Sequence, residues 1–367
     1  MIKVFIPTYK RLATLKWVLL SLNNNLSTIE NNTEIYIINN CPDEKLKVEK
    51  IIMEFSKAHN LINFNIIHRE FELPAAISWY KSIRENSNYG DIIFLHGDDD
   101  LFINDSIKMR KKIIEEYNAD FLISDFDGGL LFNESGEKIN FNKTKDYNKI
   151  ELIIKKLSFK DKELIGSIFL GNNCYKYSKK FENSLDLALK WCNIQTWVDE
   201  NLRTQFLPFY ITLAAVYLGF NVFYTNGVFV IRGNNINEII NSFVGVSNWN
   251  SGFISLLCLG ILNSKELISY KELDHQRVIA NKMAAEWFFT YFFDKRISSK
   301  YRKDTFQKIG YPKFNLNLIL KAFKLFIFSI IKIKLKRFYK QYKLKKFYKN
   351  SINTKVFIDE LKKFNED

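Results

Sequence analysis

The chain is poor in the residues that would announce a ready-made chemistry. Its 367 residues include 4 cysteines, Cys41, Cys174, Cys192 and Cys258, widely spaced and without a CxxC pair. A disulfide scaffold is not expected from that pattern in a chain this long; reduced, partly buried thiols are. With only 4 histidines, a histidine-rich zinc site is not expected either. Proline is scarce, at 5, while 47% of residues are hydrophobic, which excludes a mostly disordered or collagen-like chain. Long apolar runs are missing too. The opening MIKVFIPTYKR holds no signal-peptide core. The greasy run Leu325 to Ile331, set between lysines, is seven residues, against the ~20 that a membrane span needs. The expectation is a cytoplasmic protein whose membrane contact, if any, is peripheral, on the inner face of the cell membrane.

What is present in excess is positive charge, and it is unevenly placed. The chain carries 54 Lys+Arg against 40 Asp+Glu, a net of +14. Twelve of those basic residues fall between Pro312 and Asn350, where there is no Asp or Glu, so the rest of the chain has a net of only +2. The basic segment interleaves lysine with Phe, Leu, Ile and Tyr. Such a stretch suits an anionic membrane surface, with each basic residue near it contributing about 1 kcal/mol. Packing of the same helix on the body stays open. A nucleic-acid partner is not expected, because the aliphatic content is high and no nucleic-acid fold motif appears in the first 235 residues.

Before that tail, apolar patterns alternate. Lys3 to Pro7, Glu34 to Asn39, Phe64 to His68 and Asp91 to Leu95 read as buried strands. Leu12, Leu15, Leu19 and Leu22, then Val48, Ile51, Ile52 and Phe55, then Ala75 to Ile83, read as the helices between them. Four strand–helix alternations in about 95 residues are the mark of an α/β domain with a mostly parallel sheet. Such sheets bind ligands at the carboxyl ends of their strands. Here those ends read PTYKR, NNCPDE, HRE and HGDDD, all polar or charged. Further along, Ala119 to Asp125 reads as a strand, Gly128 to Lys149 as a loop, and Leu207 to Gly219 as a helix. NVFYT and VFVIRG read as a hairpin-like pair about Asn226-Gly227.

The most informative feature is Asp98-Asp99-Asp100, directly after a buried strand. Three adjacent carboxylates repel one another, and a divalent cation among them relieves that repulsion. Oxygen ligands suit Mg²⁺ or Mn²⁺, which typically take one or two carboxylates and complete their shell with substrate phosphates. In an extended or turning backbone Asp98 and Asp100 point the same way while Asp99 points apart, so the outer pair could share one metal with a diphosphate. A solvated acidic turn, or Asp100 as a helix cap near Asn104, is the plainer alternative.

FIPTYKRLATLKWVLLSL, IYIINNCPDE and GDIIFLHGDDDLF resemble the opening of family 2 glycosyltransferases of GT-A fold. With IGSIFLGN (Ile165 to Asn172) and VIRGNN (Val230 to Asn235), the chain looks most like abequosyltransferase-like enzymes that build bacterial surface polysaccharides, O-antigen or capsule. The resemblance implies a nucleotide-sugar donor, a lipid-linked saccharide acceptor and a Mn²⁺ or Mg²⁺ cofactor. It implies that Pro7, Thr8, Tyr9 and Arg11 lie along the nucleotide and that Asn39 reads the base, where the family usually has Asp. Arg69 would counter charge near the base or diphosphate, Asp98 and Asp99 would touch the donor, and Asp98 with Asp100 would hold the metal. It also implies an organisation: a GT-A domain over 1–235, with a nucleotide-sugar half 1–105 and an acceptor half 106–235. A helical extension follows over 236–311 and the basic membrane-associating tail over 312–367.

One departure concerns the catalytic base. Where inverting members carry an acidic pair, about a dozen residues before Gly219, this chain has Leu207 and Pro208. The nearest acids upstream, Asp199 and Glu200, are the candidates to deprotonate an acceptor hydroxyl, with Asp125 and Asp127 as weaker alternatives. His96 reads as a loop histidine that could touch phosphate. Arg232, Asn234 and Asn235 could close over phosphates or form a solvated turn. Trp191, Trp197 and Trp249 could stack on a sugar or pack in the core.

Overall fold

The computed structural model describes residues 1–26, 33–59, 64–103, 105–133, 135–137, 139–141, 151–193, 204 and 207–233. Asp199, Glu200, Trp197, Trp249, Asn234, Asn235, the 236–311 extension and the 312–367 tail lie outside the described residues.

Strands β1 (Ile2–Thr8), β2 (Thr33–Asn39), β3 (Phe64–His68) and β4 (Ile92–Leu95) form where the sequence places its apolar runs. They pair in parallel in the order β3-β2-β1-β4. Parallel strands need crossovers, and helices α1 (Leu12–Leu26), α2 (Lys45–His59) and α3 (Ala75–Asn86) supply them. The sheet is buried on both faces, and the two-residue alternation of each strand sorts its side chains between two cores. Val4, Ile6, Ile35, Ile37 and Phe94 pack on the face covered by α1 and α2. Phe5, Tyr36, Ile38, Ile93 and Leu95 pack on the opposite face against Ala76, Tyr80 and Ile83 of α3.

The second half extends the same sheet with mixed polarity. Short β5 (Leu101–Phe102) and helix α4 (Ser106–Glu116) follow the acidic triplet, and α4 sends Ile107, Ile113 and Ile114 into the α1/α2-side core. Next come β6 (Phe121–Asp127), the hairpin of β7 (Leu130–Phe132) and β8 (Ile139–Phe141), and β9 (Ile154–Lys156). β10 (Asn173–Lys176) inserts antiparallel between β4 and β6, joining the two halves into one sheet. Helices α5 (Lys179–Asn193) and α6 (Leu207–Tyr217) cover the α3-side face. Every residue of α6 from Leu207 to Ala215 is buried, as befits a helix that is apolar all round. β11 (Val222–Ile231) runs parallel to β6 and pairs antiparallel with β5 and β9.

Two expectations are corrected. The pair NVFYT and VFVIRG is a single strand, with register shifts between Thr225 and Val230. Asn226 does not turn the chain, because its side chain is used outward: Oδ1 accepts from Ile153 N at 2.8 Å and Nδ2 donates to Glu151 O at 2.9 Å. The bulge is absorbed within a strand that β6 templates along its length. Within the supposed loop after Gly128, the β7–β8 hairpin is anchored by Leu130, Phe132, Ile139 and Phe141, all in the α1/α2-side core.

Trp191 is a core residue, 2% exposed and packed edge-on against Tyr217 at 6.1 Å, which leaves no face for a sugar. Trp191→Ala is expected to cost about 3–5 kcal/mol of stability while leaving donor affinity unchanged. Chemical denaturation together with donor titration of the variant checks both halves of that statement.

Candidate active site

The carboxyl ends of β1 to β4 form one polar edge. Register sets Thr8 beside Asn39 and Asn39 beside His68, and two further backbone bonds continue the pairing past the strands, Asn40 N to Thr8 O and Arg69 N to Asn39 O. After β1 the chain turns sharply, with Lys10 at φ 56°, to present Tyr9 and Arg11 before α1 begins. The segment Glu72-Leu73-Pro74, which precedes α3, is tied to the same edge. Asn40 Nδ2 donates to Leu73 O at 2.8 Å, and Leu73 N donates to Asn40 Oδ1 at 3.2 Å. The Tyr9 hydroxyl donates to Glu72 at 2.9 Å.

Asn39 is buried and its amide is oriented by its partners. Cys41 N–H can only donate, so the atom it meets at 3.0 Å is Oδ1, and Nδ2 therefore donates to His68 Nδ1 at 3.1 Å. His68 then carries its proton on Nε2, which lies 3.1 Å from Glu49. These bonds use one lone pair and one N–H of the Asn39 amide, which is 1% exposed.

Arg69 is not presented to this edge. Its Nε donates to Ser78 Oγ at 3.2 Å, its NH2 donates to Ser78 O at 2.9 Å and to Ser82 Oγ, and its NH1 lies 3.6 Å from Glu85. All of these groups belong to α3. The residue expected as a counter-charge for the donor is a tether between β3 and α3.

The triplet follows β4 in a turn closed by Asp100 N to Gly97 O, 3.4 Å. Asp98 and Asp99 share a neighbour in Arg11, against the expected sidedness of the three carboxylates. Asp98 faces the β1 side, with Oδ1 3.6 Å from Arg11, and Asp99 takes the shorter contact to Arg11 at 2.7 Å. Asp100 faces the far side, where Gly233 N–H donates to its Oδ1 at 3.2 Å. Asp98 and Asp100 are buried, at 6% and 7% exposure. The cap of α4 is Asp105, so Asp100 does not serve as one. Beside Asp99 and Arg11, a cavity of about 100 Å³ opens toward the β7–β8 hairpin.

Beneath the turn, His96 is buried and stacked on Phe102 with ring centroids 3.6 Å apart. Its Nε2 meets Asp100 O at 3.0 Å and must donate there, because a carbonyl only accepts. Burial, and then the neighbouring Arg110, hold His96 well below its ordinary range, so it is neutral. Its role is to pin the turn, and nothing presents it to a phosphate. Two glycines make room around the triplet. A Cβ on Gly171, within IGSIFLGN, would lie 3.0 Å from Asp100 Oδ2, and one on Gly233 would lie 1.7 Å from Asp99 O. Sequence reading had no signal for this close approach, which joins three distant motifs.

Burial, and then Asp99, push both Asp98 and Asp100 up to about 7, while Arg11 opposes the shift at Asp98 and Arg232 opposes it at Asp100. Asp98 Oδ2 is buried without a hydrogen-bond partner. Among the described residues no three His, Cys, Asp or Glu side chains gather around one point to hold a metal by themselves. The donor set is nevertheless right for a hard cation: buried carboxylate oxygens, one of them unpartnered, in a place that disfavours their charge.

The acid candidates of the second half fare differently. Asp127 is fully buried and its Oδ1 accepts from Gly129 N at 2.9 Å, so it shapes the turn after β6 and is no base. Asp125 is half-buried. Helix α6 carries no acid at all.

Residues 3–170 match the family model described as glycosyl transferase family 2. The match takes in β1 to β4, the triplet and the turn at Lys162–Ile168. The mixed, largely parallel sheet with helices on both faces is the architecture of GT-A glycosyltransferases. Similar solved structures include S. aureus TarS, at 14% identity and TM-score 0.48, covering 87% of this chain and 49% of that one. The chain thus spans about half the length of that protein. TarS 1-349 in complex with UDP-GlcNAc is similar at 14% identity and TM-score 0.48, covering 93% and 91% of the two chains. The mannosyltransferase PcManGT from Pyrobaculum calidifontis, in complex with GDP-Man and Mn²⁺, follows at 10% identity and TM-score 0.42, covering 89% and 86%. No curated protein matches the chain.

The raised carboxylates have a consequence for stability. Unfolded, both aspartates ionise near 3.8; folded, they hold protons up to about 7. The folded state binds more protons in between, so metal-free protein should lose stability as pH rises from about 4 to about 7 and level off above that. Asp98→Asn should flatten this profile, raising the melting temperature at pH 8 by about 2–4 °C and leaving it unchanged at pH 4. Melting curves in chelator across this range test it; parallel profiles for the two proteins would show that Asp98 does not titrate this way.

Proposed function

We propose that the chain is a metal-dependent glycosyltransferase that moves a sugar from a nucleotide-sugar donor to a lipid-linked glycan acceptor in bacterial surface-polysaccharide synthesis. The observation that carries this reading is the buried acidic turn after β4, with an unpartnered Asp98 oxygen, at the polar edge of a glycosyltransferase family 2 domain.

On this reading Pro7, Thr8 and Tyr9 line the nucleotide, and Asn39 meets the base with its remaining lone pair or N–H. Asp98 and Asp100 are the residues that would hold a Mn²⁺ or Mg²⁺, with Asp99 kept in place by Arg11. When bound, such an ion supplies Lewis-acid stabilisation of the charge that develops on the leaving diphosphate. Arg11 adds positive charge on the nucleotide side. His96 and Gly233 N–H fix the turn, so the carboxylates need not reorganise during transfer. An acceptor hydroxyl must lose its proton to a base in contact with it. Asp199 or Glu200 is proposed for that step, since α6 offers no acid and Asp127 is committed to its turn. The basic tail, 312–367, is proposed to hold the enzyme on an anionic membrane, where a lipid-linked acceptor would be found. Among the described residues no helix is long and apolar enough to cross one.

The test is a nucleotide-sugar panel read by thermal shift and by sugar transfer, with and without Mn²⁺. One donor should stabilise the protein only with the metal present. Asp100→Ala should abolish transfer to lipid-linked saccharide and retain the folded melting transition. Full activity of that variant would sink the metal assignment, and metal-dependent binding without any turnover would instead make the chain a binding module. In the same assay, deletion of 312–367 should release the protein from anionic liposomes and spare donor binding; retention on liposomes would refute the role given to the tail.

A further inference from the structure

Arg110, in the middle of α4, is a cation almost wholly removed from water, at 1% exposure. Burial pulls its pKa down to about 10, which leaves it charged at neutral pH. Among the described residues no carboxylate pairs with it. Its guanidinium carbon lies 4.8 Å from the ring centre of Phe94 in β4 and 5.9 Å from that of Phe229 in β11. Nε donates to Ser106 O at 3.3 Å, one turn back in its own helix, and NH1 donates to Gly171 O at 2.7 Å. NH2 is buried without a partner. An arginine taken out of water without a counter-ion loses solvation that two carbonyls and two rings restore only in part. A methionine would fill much of the same space without that cost. What arginine adds over an apolar side chain here is the bond to Gly171.

Gly171 lies in the 3₁₀ turn Leu170–Asn172, directly before β10. Its backbone closes on the acidic turn from the second half of the fold. A Cβ there would lie 3.0 Å from Asp100 Oδ2, 3.0 Å from Val230 Cγ1 and 3.3 Å from His96 Nδ1. Asp100 is thus braced on both oxygens: Gly233 N–H donates to Oδ1, and the Gly171 backbone approaches Oδ2. The chain that leaves the triplet runs through β5 into α4 and returns, through Arg110, to the residue that braces it.

We propose that Arg110 is a positioning residue of the acidic turn: by holding Gly171 O it keeps the turn before β10 pressed on Asp100, and so fixes that carboxylate for a divalent cation. This rests on the metal-dependent reading above for the identity of the ligand, and adds to it a residue that does not touch the ion. A carboxylate held in place before the cation arrives has less freedom to lose on binding it. Groups that orient metal ligands in this way set affinity at one remove.

The experiment is a titration of the full-length protein with Mn²⁺ alone, the free ion read by electron paramagnetic resonance, beside melting curves in chelator. Asp100→Asn marks which part of the binding belongs to the turn. Arg110→Met should weaken that binding by about tenfold or more, the usual effect of removing a group that orients a metal ligand. Its melting temperature in chelator should stay level or rise, because an unpaired buried charge has gone. Gly171→Ala crowds Asp100 without altering Arg110, and should weaken Mn²⁺ as well. The double variant should lose no more than the worse of the two single ones, since both act through one contact. Arg110→Lys keeps a donor for Gly171 O and should recover part of the loss; if Arg110→Met does not fold, the lysine variant takes its place in the same cycle. Unchanged Mn²⁺ affinity in the Arg110 variants, a loss that merely tracks a lower melting temperature, or losses that add in the double variant would each overturn the proposal and leave the glycosyltransferase reading standing. If Asp100→Asn binds Mn²⁺ as the parent does, the metal assignment falls first and takes this proposal with it.

Discussion

Three consecutive carboxylates at the end of a buried strand set the terms for the rest of the structure. Burial disfavours the charge of Asp98 and Asp100, and Asp99 between them makes matters worse. The surrounding chain is arranged to hold that unfavourable charge without dispersing it. Arg11 comes in from the first loop, a backbone N–H from Gly233, and a neutral His96 locks the turn from below. Gly233 has no side chain because none would fit, and one on Gly171 would crowd Asp100 and Val230. The arrangement stops short of neutrality, with one Asp98 oxygen left buried and unpartnered. The proposed metal and diphosphate, arriving together, would relieve that tension.

The first half of the fold was legible for a physical reason. β1 to β4 are buried on both faces, so they read as unbroken apolar runs, and the amphipathic helices between them cannot be mistaken for strands. The acidic triplet stood out because so concentrated a charge seldom follows a core strand. What could not be read was direction. Alternation suggested that Asp98 and Asp100 share a side, whereas Asp98 and Asp99 both meet Arg11 and Asp100 meets Gly233. Arg69 looked like a counter-ion because it ends a strand, but the serines of α3 lie one helical turn apart, at Ser78 and Ser82, and capture it. Nothing local to Arg69 encodes that choice.

The second half was harder because its strands are short and its polarity mixed. β10, four residues long, is the seam between β4 and β6, yet NCYK has no periodicity to announce it. Asn226-Gly227 has the composition of a hairpin turn, and a local reading takes it as one. Templating by β6 overrides that preference and leaves a bulge. The same second half brings Gly171 and Gly233 against the triplet, so the acidic turn is enclosed by both halves although its motif belongs to the first.

On the proposed reading the base would lie at β1 and β2 and the metal and diphosphate at β4. Most of the positive charge in the composition lies elsewhere in the sequence, with twelve basic residues between Pro312 and Asn350. The most direct measurement of the account is the anomalous signal of Mn²⁺ in crystals grown with a nucleoside diphosphate. The account predicts one peak at the triplet, within coordination distance of an Asp98 or Asp100 oxygen and of the diphosphate. A nucleotide bound at the strand ends with no metal peak there, or a peak remote from both aspartates, would contradict it.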